Sequence, residues 1–206
     1  MNSQEIPDII ISRLPVYLRA LQWLADQGAQ TTSSQELGAN VGISAAQIRK
    51  DLSQFGEFGK QGTGYHIPFL IEKLQSILHV DRVWDVAIVG MGELGHALAR
   101  YQGFANRGFH IVMAFDNNPT LVGSKVGNFV IRDVKDLVSD ISTAGIKIAM
   151  ITVPASAAQE VTDRLVEAGV KAILNYAPLN LSVKNGVHIQ YIDPSVGLQR
   201  MCYYLA

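Results

Sequence analysis

The chain has 206 residues, of which 48% are hydrophobic, and a formal net charge of −1. This length accommodates one large or two small domains, and the composition indicates a soluble globular protein rather than a disordered chain. The apolar runs are too short for a membrane span, and the first twelve residues lack signal-peptide features. The single cysteine, Cys202, excludes an intramolecular disulfide and a cysteine-rich zinc site, so we expect a cytoplasmic protein.

The first part of the chain predicts three helices. Leucine and alanine recur at helical spacing over residues 13–25, with Pro15 in the first turn of that helix. Capping boxes at residues 33–36 and 44–47 predict the starts of a second helix, ending near Val41, and of a third, ending near Phe55. Two short helices joined by a glycine-containing turn are typical of a helix-turn-helix motif.

The third helix has an apolar face and a polar face. Ile48, Leu52 and Phe55 are spaced to face inward. The other side chains suit base edges and phosphates in a major groove. The DNA contacts predicted on this helix are Ser44, Gln47, Arg49, Lys50, Ser53 and Gln54.

Four glycines within residues 56–64 predict a turn. With its flanking strand-like segments, the turn is typical of the β-wing of a winged helix, with Lys60 at its tip and Gly62 and Tyr65 as further DNA contacts. One more helix over residues 68–78 and a linker over 79–81 complete an N-terminal domain of residues 1–80.

The charge of this region favours a second interpretation. Residues 1–81 hold six Lys or Arg and eight Asp or Glu, whereas an electrostatically driven DNA-binding domain is basic. Positive charge is local, at Arg49, Lys50 and Lys60. A helix-turn-helix that binds another protein therefore stays an alternative. If the target is DNA, so few basic residues per chain favour binding as a dimer.

A dinucleotide fingerprint follows the apolar run at residues 86–89. Gly90, Gly92 and Gly95 have the spacing G-x-G-x-x-G between a predicted strand and a predicted helix, with Met91, Glu93 and Leu94 between them. The glycines allow a tight turn, a close approach to a pyrophosphate, and close packing of helix on strand. The alternative is a glycine-rich turn in a ligand-free α/β domain.

An acidic residue follows at the position expected for ribose binding. Asp116 ends a second apolar run and lies 21 residues beyond Gly95. Asn117 and Asn118 come next, so no adjacent Arg or Lys is available for a 2′-phosphate. The sequence therefore predicts NAD(H) rather than NADP(H).

Strands and helices alternate through the rest of residues 81–192, which predicts an α/β fold with a doubly wound parallel sheet of the Rossmann type. Within this region, residues 120–127 are predicted to form a glycine-punctuated loop and residues 133–141 a helix. Ligands bind beyond the carboxyl ends of such strands. Two predicted strand ends therefore supply further cofactor-binding candidates, for which packing roles alone are the alternative. These candidates are Thr152, Val153, Pro154, Asn175, Tyr176 and Ala177.

The last predicted helix, within residues 193–206, begins at an Asp193-Pro194 cap and is apolar around its whole circumference. Such a helix is buried on all sides. Because it is terminal, we predict that it packs against a second subunit, with Cys202 as a buried hydrophobic residue rather than a reactive thiol.

Taken together, the motifs resemble the Rex family of redox-sensing transcriptional repressors over nearly the whole chain. The matching segments are residues 13–15, 47–51, 55–56, 62–65, 90–95, 114–116, 152–155 and 191–193. The resemblance implies a bacterial homodimer with exchanged C-terminal helices that binds a palindromic operator. It also implies release of that operator when NADH replaces NAD, and control of anaerobic or fermentative genes.

Two residues bear on coupling between the domains. Asp193 can reach Arg13 in principle, within or across subunits, and we predict an interdomain switch at this pair. In some family members an aromatic residue after the aspartate reaches the partner's nicotinamide pocket. Here that position is Pro194, which has no aromatic ring.

The rival function is a small NAD-dependent dehydrogenase, which needs an acid–base group near the nicotinamide. The five histidines are poorly placed for this: they belong to the DNA-binding half, the linker, the pyrophosphate helix, the wrong end of a strand, and, for His188, a Gly-Val-His turn. No Tyr-x-x-x-Lys dyad occurs. We therefore predict no catalytic residue, no metal site and no enzyme activity.

Overall fold

The computed structural model describes residues 6–60, 64–183 and 186–205. The chain divides into two compact units, Met1–Arg82 and Val83–Ala206. The division lies two residues beyond the domain boundary predicted at residue 80.

The first unit packs helices against a small antiparallel sheet with the strand order β1-β3-β2. Its helices are α1 (Asp8–Ile11), α2 (Leu14–Asp26), α3 (Ser34–Val41), α4 (Ala45–Ser53) and α5 (Ile67–Ile77). Its strands are β1 (Thr31–Thr32), β2 (Gly59–Lys60) and β3 (Gly64–His66). Helices α3 and α4 form the predicted helix-turn-helix, and β2 and β3 pair as the predicted wing. The sequence had not predicted α1 or β1.

Local side-chain chemistry sets the ends of α3 and α4. The Ser33 hydroxyl accepts the backbone N–H of Glu36, and the Ser44 hydroxyl accepts that of Gln47. Between the helices, Gly42 has a φ of 71°, a left-handed conformation that glycine adopts without strain. Both caps match the sequence-based prediction. The Ser44 cap fixes the start of α4 at Ala45.

The second unit is a seven-stranded sheet with the order β10-β9-β8-β4-β5-β7-β6. Its strands are β4 (Trp84–Val89), β5 (Phe109–Asp116), β6 (Lys125–Val126), β7 (Phe129–Asp133), β8 (Ile148–Ile151), β9 (Ala172–Asn175) and β10 (His188–Tyr191). Its α-helices are α6 (Glu93–Arg100), α7 (Leu137–Ala144), α8 (Ala155–Glu167) and α9 (Pro194–Cys202).

Helices cover both faces of this sheet, as a doubly wound fold requires. Alternate residues of β4 enter different cores: Ala87 and Val89 pack in one with residues of α7 and α8, whereas Val86 and Ile88 pack in the other with residues of α6. Strands β4, β5, β7, β8, β9 and β10 pair in parallel, so their carboxyl ends share one edge. The predicted fold class is confirmed.

Three local predictions were wrong. The loop over 120–127 contains β6, which pairs antiparallel with β7. Residues 133–141 are not one helix, because Asp133 still belongs to β7 and a short 3-10 helix, Val134–Asp136, precedes α7. His188 begins β10 rather than lying in a turn, because β9 supplies its backbone partners. In the part of the chain that the structure describes, no helix is both long enough and apolar enough to cross a bilayer.

Candidate functional site

The glycine-rich turn joins β4 to α6 by close backbone packing. Gly90 has a φ of 100°, and a Cβ there would lie 2.8 Å from the backbone carbon of Thr152. A Cβ on Gly95 would overlap the carbonyl oxygen of Gly90. The Thr152 hydroxyl donates to that same oxygen at 2.6 Å. The conformation of the glycine-rich turn is therefore fixed by close packing against Gly95 in α6 and Thr152 after β8.

Gly92 differs from the other two glycines. A Cβ added at this position would meet no protein atom within 4 Å. The residue lies at the N-terminus of α6, where first-turn N–H groups and the positive end of the helix dipole favour a phosphate. Open space directly above such a turn is the cradle that a pyrophosphate needs, so the residues present fit a dinucleotide.

A cavity of about 580 Å³ opens beyond the carboxyl ends of the strands. Six of the predicted cofactor-binding residues line it. Three other predicted residues lie in the first turn of α6, where Glu93 and Leu94 are exposed and Gly95 is buried. The six lining residues are Gly90, Gly92, Asp116, Thr152, Val153 and Pro154.

Asp116 is held at the rim of this cavity by two backbone donors. Its Oδ2 accepts the N–H of Met91 at 2.5 Å, and its Oδ1 accepts the N–H of Asn118 at 2.8 Å. Each carboxylate oxygen has a second lone pair, which leaves capacity for two more hydrogen bonds. The carboxylate is thus oriented in advance for a pair of neighbouring hydroxyl groups, as on a ribose.

The predicted cofactor-binding residues at the end of β9, Asn175, Tyr176 and Ala177, do not line the cavity. Asn175 is fully buried. Its side-chain amide nitrogen donates to the carbonyl oxygens of Ala177 and Leu179, and its amide oxygen accepts a hydrogen bond from the backbone N–H of Ala177. Burial raises the pKa of the Tyr176 hydroxyl. These contacts fix the turn after β9, and a role of Asn175, Tyr176 and Ala177 beside a nicotinamide stays a prediction.

Sequence reasoning missed several lining residues, which come from segments distant along the chain. The signal was available on α8, where Ala157, Val161 and Arg164 continue one helical face from the strand end at Pro154. Besides Val89, Asn117 and Asn118, which adjoin predicted residues, the missed residues are Leu121, Val134, Ala157, Glu160, Val161 and Arg164.

Helix α4 presents a polar surface in the first unit. Of the predicted DNA contacts, Ser44, Arg49, Lys50, Ser53 and Gln54 are exposed on or beside this helix. The Arg49 guanidinium donates to the Ser34 hydroxyl at 2.8 Å, which ties the side chain to α3. Cations, hydroxyls and an amide are thereby grouped on one face, the chemistry that binds phosphates and base edges.

A buried carboxylate holds the inner side of α4, and the sequence analysis missed it. Asp51 is fully buried; Arg13 donates to both of its oxygens, at 2.6 and 2.7 Å, and the Tyr17 hydroxyl donates at 2.6 Å. The Gln47 amide donates at 2.7 Å, so this predicted DNA contact also faces inward. Burial opposes the charge of Asp51, but these hydrogen bonds prevail and lower its pKa. The network ties α4 to α2.

Of the three wing residues predicted to contact DNA, the structure describes Tyr65 and the backbone of Lys60. Tyr65 is a core residue, 9% exposed, and burial raises the pKa of its hydroxyl; its role as a DNA contact stays a prediction. Its burial follows from packing against Gly59 on the paired strand. The backbone of Lys60 pairs with Gly64 in the wing, and Gly62 lies outside the described residues.

The two residues of the predicted interdomain switch each have a local partner. Arg13 pairs with Asp51, as described above. Asp193 caps α9 by accepting the backbone N–H of Ser195 at 2.9 Å, and hydrogen bonding from the side chain and then the backbone of Ser195 lowers the pKa of its carboxyl. The Arg13–Asp193 pairing stays a prediction.

Helix α9 and the short 3-10 helix after it, Tyr203–Leu205, expose their apolar side chains. Cys202 is exposed as well. The exposed fractions are 61% for Val196, 62% for Leu198 and Met201, 80% for Tyr203, 72% for Tyr204 and 84% for Leu205. In a single chain, this segment buries almost none of its hydrophobic surface.

Comparison with known proteins decides the family. A redox-sensing transcriptional repressor Rex from Roseiflexus sp. (strain RS-1) is 50% identical over 203 residues, which cover 98% of this chain and 92% of that protein. The chain belongs to the Rex family. A Rex protein of Streptomyces griseus subsp. griseus is 43% identical over 98% of this chain and 80% of its own length. These Rex proteins are named as repressors rather than enzymes.

Family models and solved structures match both units. The family model described as "Putative DNA-binding protein N-terminus" matches residues 5–53, and the one described as "CoA binding domain" matches residues 81–179. The Rex-family repressor RSP, in complex with β-NAD⁺ and operator DNA, superposes with a TM-score of 0.92 at 38% identity, covering 97% of this chain and 92% of that one. RSP in complex with β-NADH matches with a TM-score of 0.90 at 36% identity over 98% of this chain and 95% of that one.

Proposed function

We propose that this protein is a repressor that binds operator DNA through its first unit and NAD(H) through its second, and that NADH releases it from the operator. The observation that carries the proposal is the crevice beyond β4 and β5. Open space above Gly92 and a pre-oriented carboxylate at Asp116 stand where a dinucleotide pyrophosphate and ribose bind. RSP, crystallised with both forms of the cofactor, supports the assignment.

The chemistry of Asp116 selects among nucleotides. A carboxylate that accepts from both ribose hydroxyls repels a phosphate attached to either one, so NADP(H) and coenzyme A are disfavoured. Coenzyme A is the informative control, because one family model matching this unit is named for it. We expect NADH to bind at least tenfold more tightly than NADPH or coenzyme A.

The exposed face of α4 is the proposed DNA-reading surface. Arg49 and Lys50 enter the major groove, and Lys60 contacts the minor groove or its phosphates. Because one chain carries few such cations, two copies bind one palindromic operator, held together through the exposed apolar surface of α9. Because a repressor acts on chromosomal DNA, the proposed location is the cytoplasm of a bacterium.

A titration of a labelled palindromic operator tests the whole proposal. Fluorescence anisotropy of the complex is followed while NAD⁺ and NADH are added separately, with NADPH as the control. NADH is expected to release the DNA at concentrations where NAD⁺ does not. Steady turnover of NADH with carbonyl substrates, or release that is equal for all three nucleotides, would contradict the proposal.

A further inference from the structure

Arg164 is a charged residue in the cofactor crevice that the sequence motifs do not include. Arg164 projects from α8 and lines the cavity, which Val134 and Leu121 also line from other segments. The residue is only partly exposed. Its Nη2 donates to the carbonyl oxygens of Val134 at 2.6 Å and Lys135 at 3.1 Å. Two neutral acceptors therefore fix the guanidinium without neutralising its charge.

The strand order gives Arg164 its place along the crevice. Gly92 follows β4, Asp116 ends β5, and Val134 follows directly after β7, the next strand outward. Asp116 and Asp133 are partners in the sheet register, so the carbonyl that holds Arg164 lies one strand beyond the ribose-binding carboxylate. A nucleotide with its pyrophosphate at Gly92 and its ribose at Asp116 would extend its base toward this end of the crevice.

We propose, on the basis of the NAD(H)-binding function inferred above, that Arg164 binds the adenine base by stacking it on the guanidinium plane. A guanidinium stacks readily on aromatic faces, and anchoring by two carbonyls removes most of the conformational entropy that stacking otherwise costs. The apolar side chains of Leu121 and Val134 line the same end of the cavity. Arg164 thereby supplies the flat, cationic surface of an otherwise apolar base pocket.

The charges of the crevice argue against a second role for Arg164 as a receptor for a 2′-phosphate. In the described part of the lining, Asp116 and Glu160 carry negative charge beside the one guanidinium. The Asp133 carboxyl is also close: the Lys135 backbone N–H is the main cause that lowers its pKa, and the charge of Arg164 contributes. The local field therefore does not favour an additional dianion.

Binding measurements on the full-length protein separate the roles. NADH, ADP-ribose and NADPH affinities are measured by calorimetry for wild type, Arg164→Met and Arg164→Lys, with Lys171→Met as a control that removes a cation outside the crevice. We expect Arg164→Met to weaken NADH and ADP-ribose equally, by roughly 2- to 30-fold, because both contain the adenosine half. Lys171→Met should bind as wild type, and unliganded thermal midpoints should agree.

The lysine variant decides between stacking and the other roles. A lysine retains the charge and can donate to the Val134 carbonyl, but it has no planar surface, so Arg164→Lys should resemble Arg164→Met. Full rescue by lysine, or NADPH binding that is lost with Arg164, would overturn the stacking role. Unchanged NADH affinity in Arg164→Met would overturn this inference alone, whereas a wild-type protein that binds neither NADH nor ADP-ribose would overturn the proposed function.

Discussion

Gly92 and Gly95 meet two different physical demands within one turn. Gly95 lacks a side chain because the carbonyl of Gly90 occupies the space where a Cβ would be. Gly92 lacks one although no protein atom competes for that space. Gly95 is therefore required for the packing of helix on strand, whereas the proposed role of Gly92 is to admit a pyrophosphate.

Alanine at each position separates these demands. Gly92→Ala adds a methyl group to open space at an ordinary backbone conformation, with φ −70°, so its thermal midpoint should match wild type while NADH affinity falls at least tenfold. Gly95→Ala forces helix and strand apart and should cost about 1–3 kcal/mol of unfolding free energy. Calorimetry and thermal denaturation measure both effects, and a Gly92→Ala protein that binds NADH normally would refute the pyrophosphate cradle.

Asp116 provides a second test at the level of one side chain. Hydrogen bonds to a charged group contribute about 1.5–3 kcal/mol, so Asp116→Ala should weaken NADH binding about tenfold or more. NADPH should lose less, because the repulsion of its 2′-phosphate disappears with the carboxylate. Asp116→Asn, which retains one acceptor oxygen for the Met91 or Asn118 N–H, controls for a collapsed turn. An unchanged ratio of NADH to NADPH affinity would exclude Asp116 as the selector.

The buried Asp51 makes the stability of the first unit depend on pH. Its pKa in the folded protein is lowered relative to an exposed carboxyl, so its contribution is complete above the ordinary value of about 3.9 and is lost as the pH falls through the folded pKa. Asp51→Asn leaves Arg13 without its partner charge and should cost about 2–4 kcal/mol at neutral pH. Urea unfolding from pH 7 to pH 3 should show the difference from wild type shrinking; a constant difference would contradict the assignment.

At the scale of elements, sequence predicted those features whose cause is local. The caps of α3 and α4 and the turn at Gly42 depend on residues three or four positions apart, and they were predicted correctly. The short strands β1, β6 and β10 were missed because their stability comes from pairing with strands elsewhere. The buried carboxylate of Asp51 was missed because its main partner, Arg13, is 38 residues away.

Helix α9 gives a prediction at this scale. Removing residues 194–206 deletes the exposed apolar segment, and we expect a monomeric or aggregated product that does not hold the operator. Leu198→Lys is the milder variant, because it places one charge within the same surface, where Leu198 is 62% exposed. Analytical ultracentrifugation measures the assembly state, and a monodisperse dimer formed by the deletion variant would contradict the exchanged-helix prediction.

For the whole molecule, two ligands bound by separate units must influence each other if one controls the other. Allosteric coupling is typically about 1–3 kcal/mol, and linkage requires operator DNA to weaken NADH binding by the same factor by which NADH weakens operator binding. NADH affinity measured with and without saturating operator should therefore differ by roughly 5- to 150-fold. Equal affinities would rule out the sensor function.

The predicted Arg13–Asp193 switch is tested in the same experiment by Asp193→Asn. Asparagine still caps a helix, so α9 keeps its N-terminal hydrogen bond while the charge is lost. Reduced coupling with normal NADH affinity is expected. Arg13→Ala is the less specific variant, because it also removes the Asp51 ion pair. Full coupling in Asp193→Asn would exclude the pair as the switch.

The exposed apolar surface of α9 has a consequence for mass action. A segment that is covered only by a second copy links folding to association, so the unfolding temperature should rise with protein concentration. Operator occupancy then depends on the square of the monomer concentration wherever dimers are scarce. A cell could therefore change the NADH level at which its genes respond by changing the number of copies of the protein, without altering either binding site.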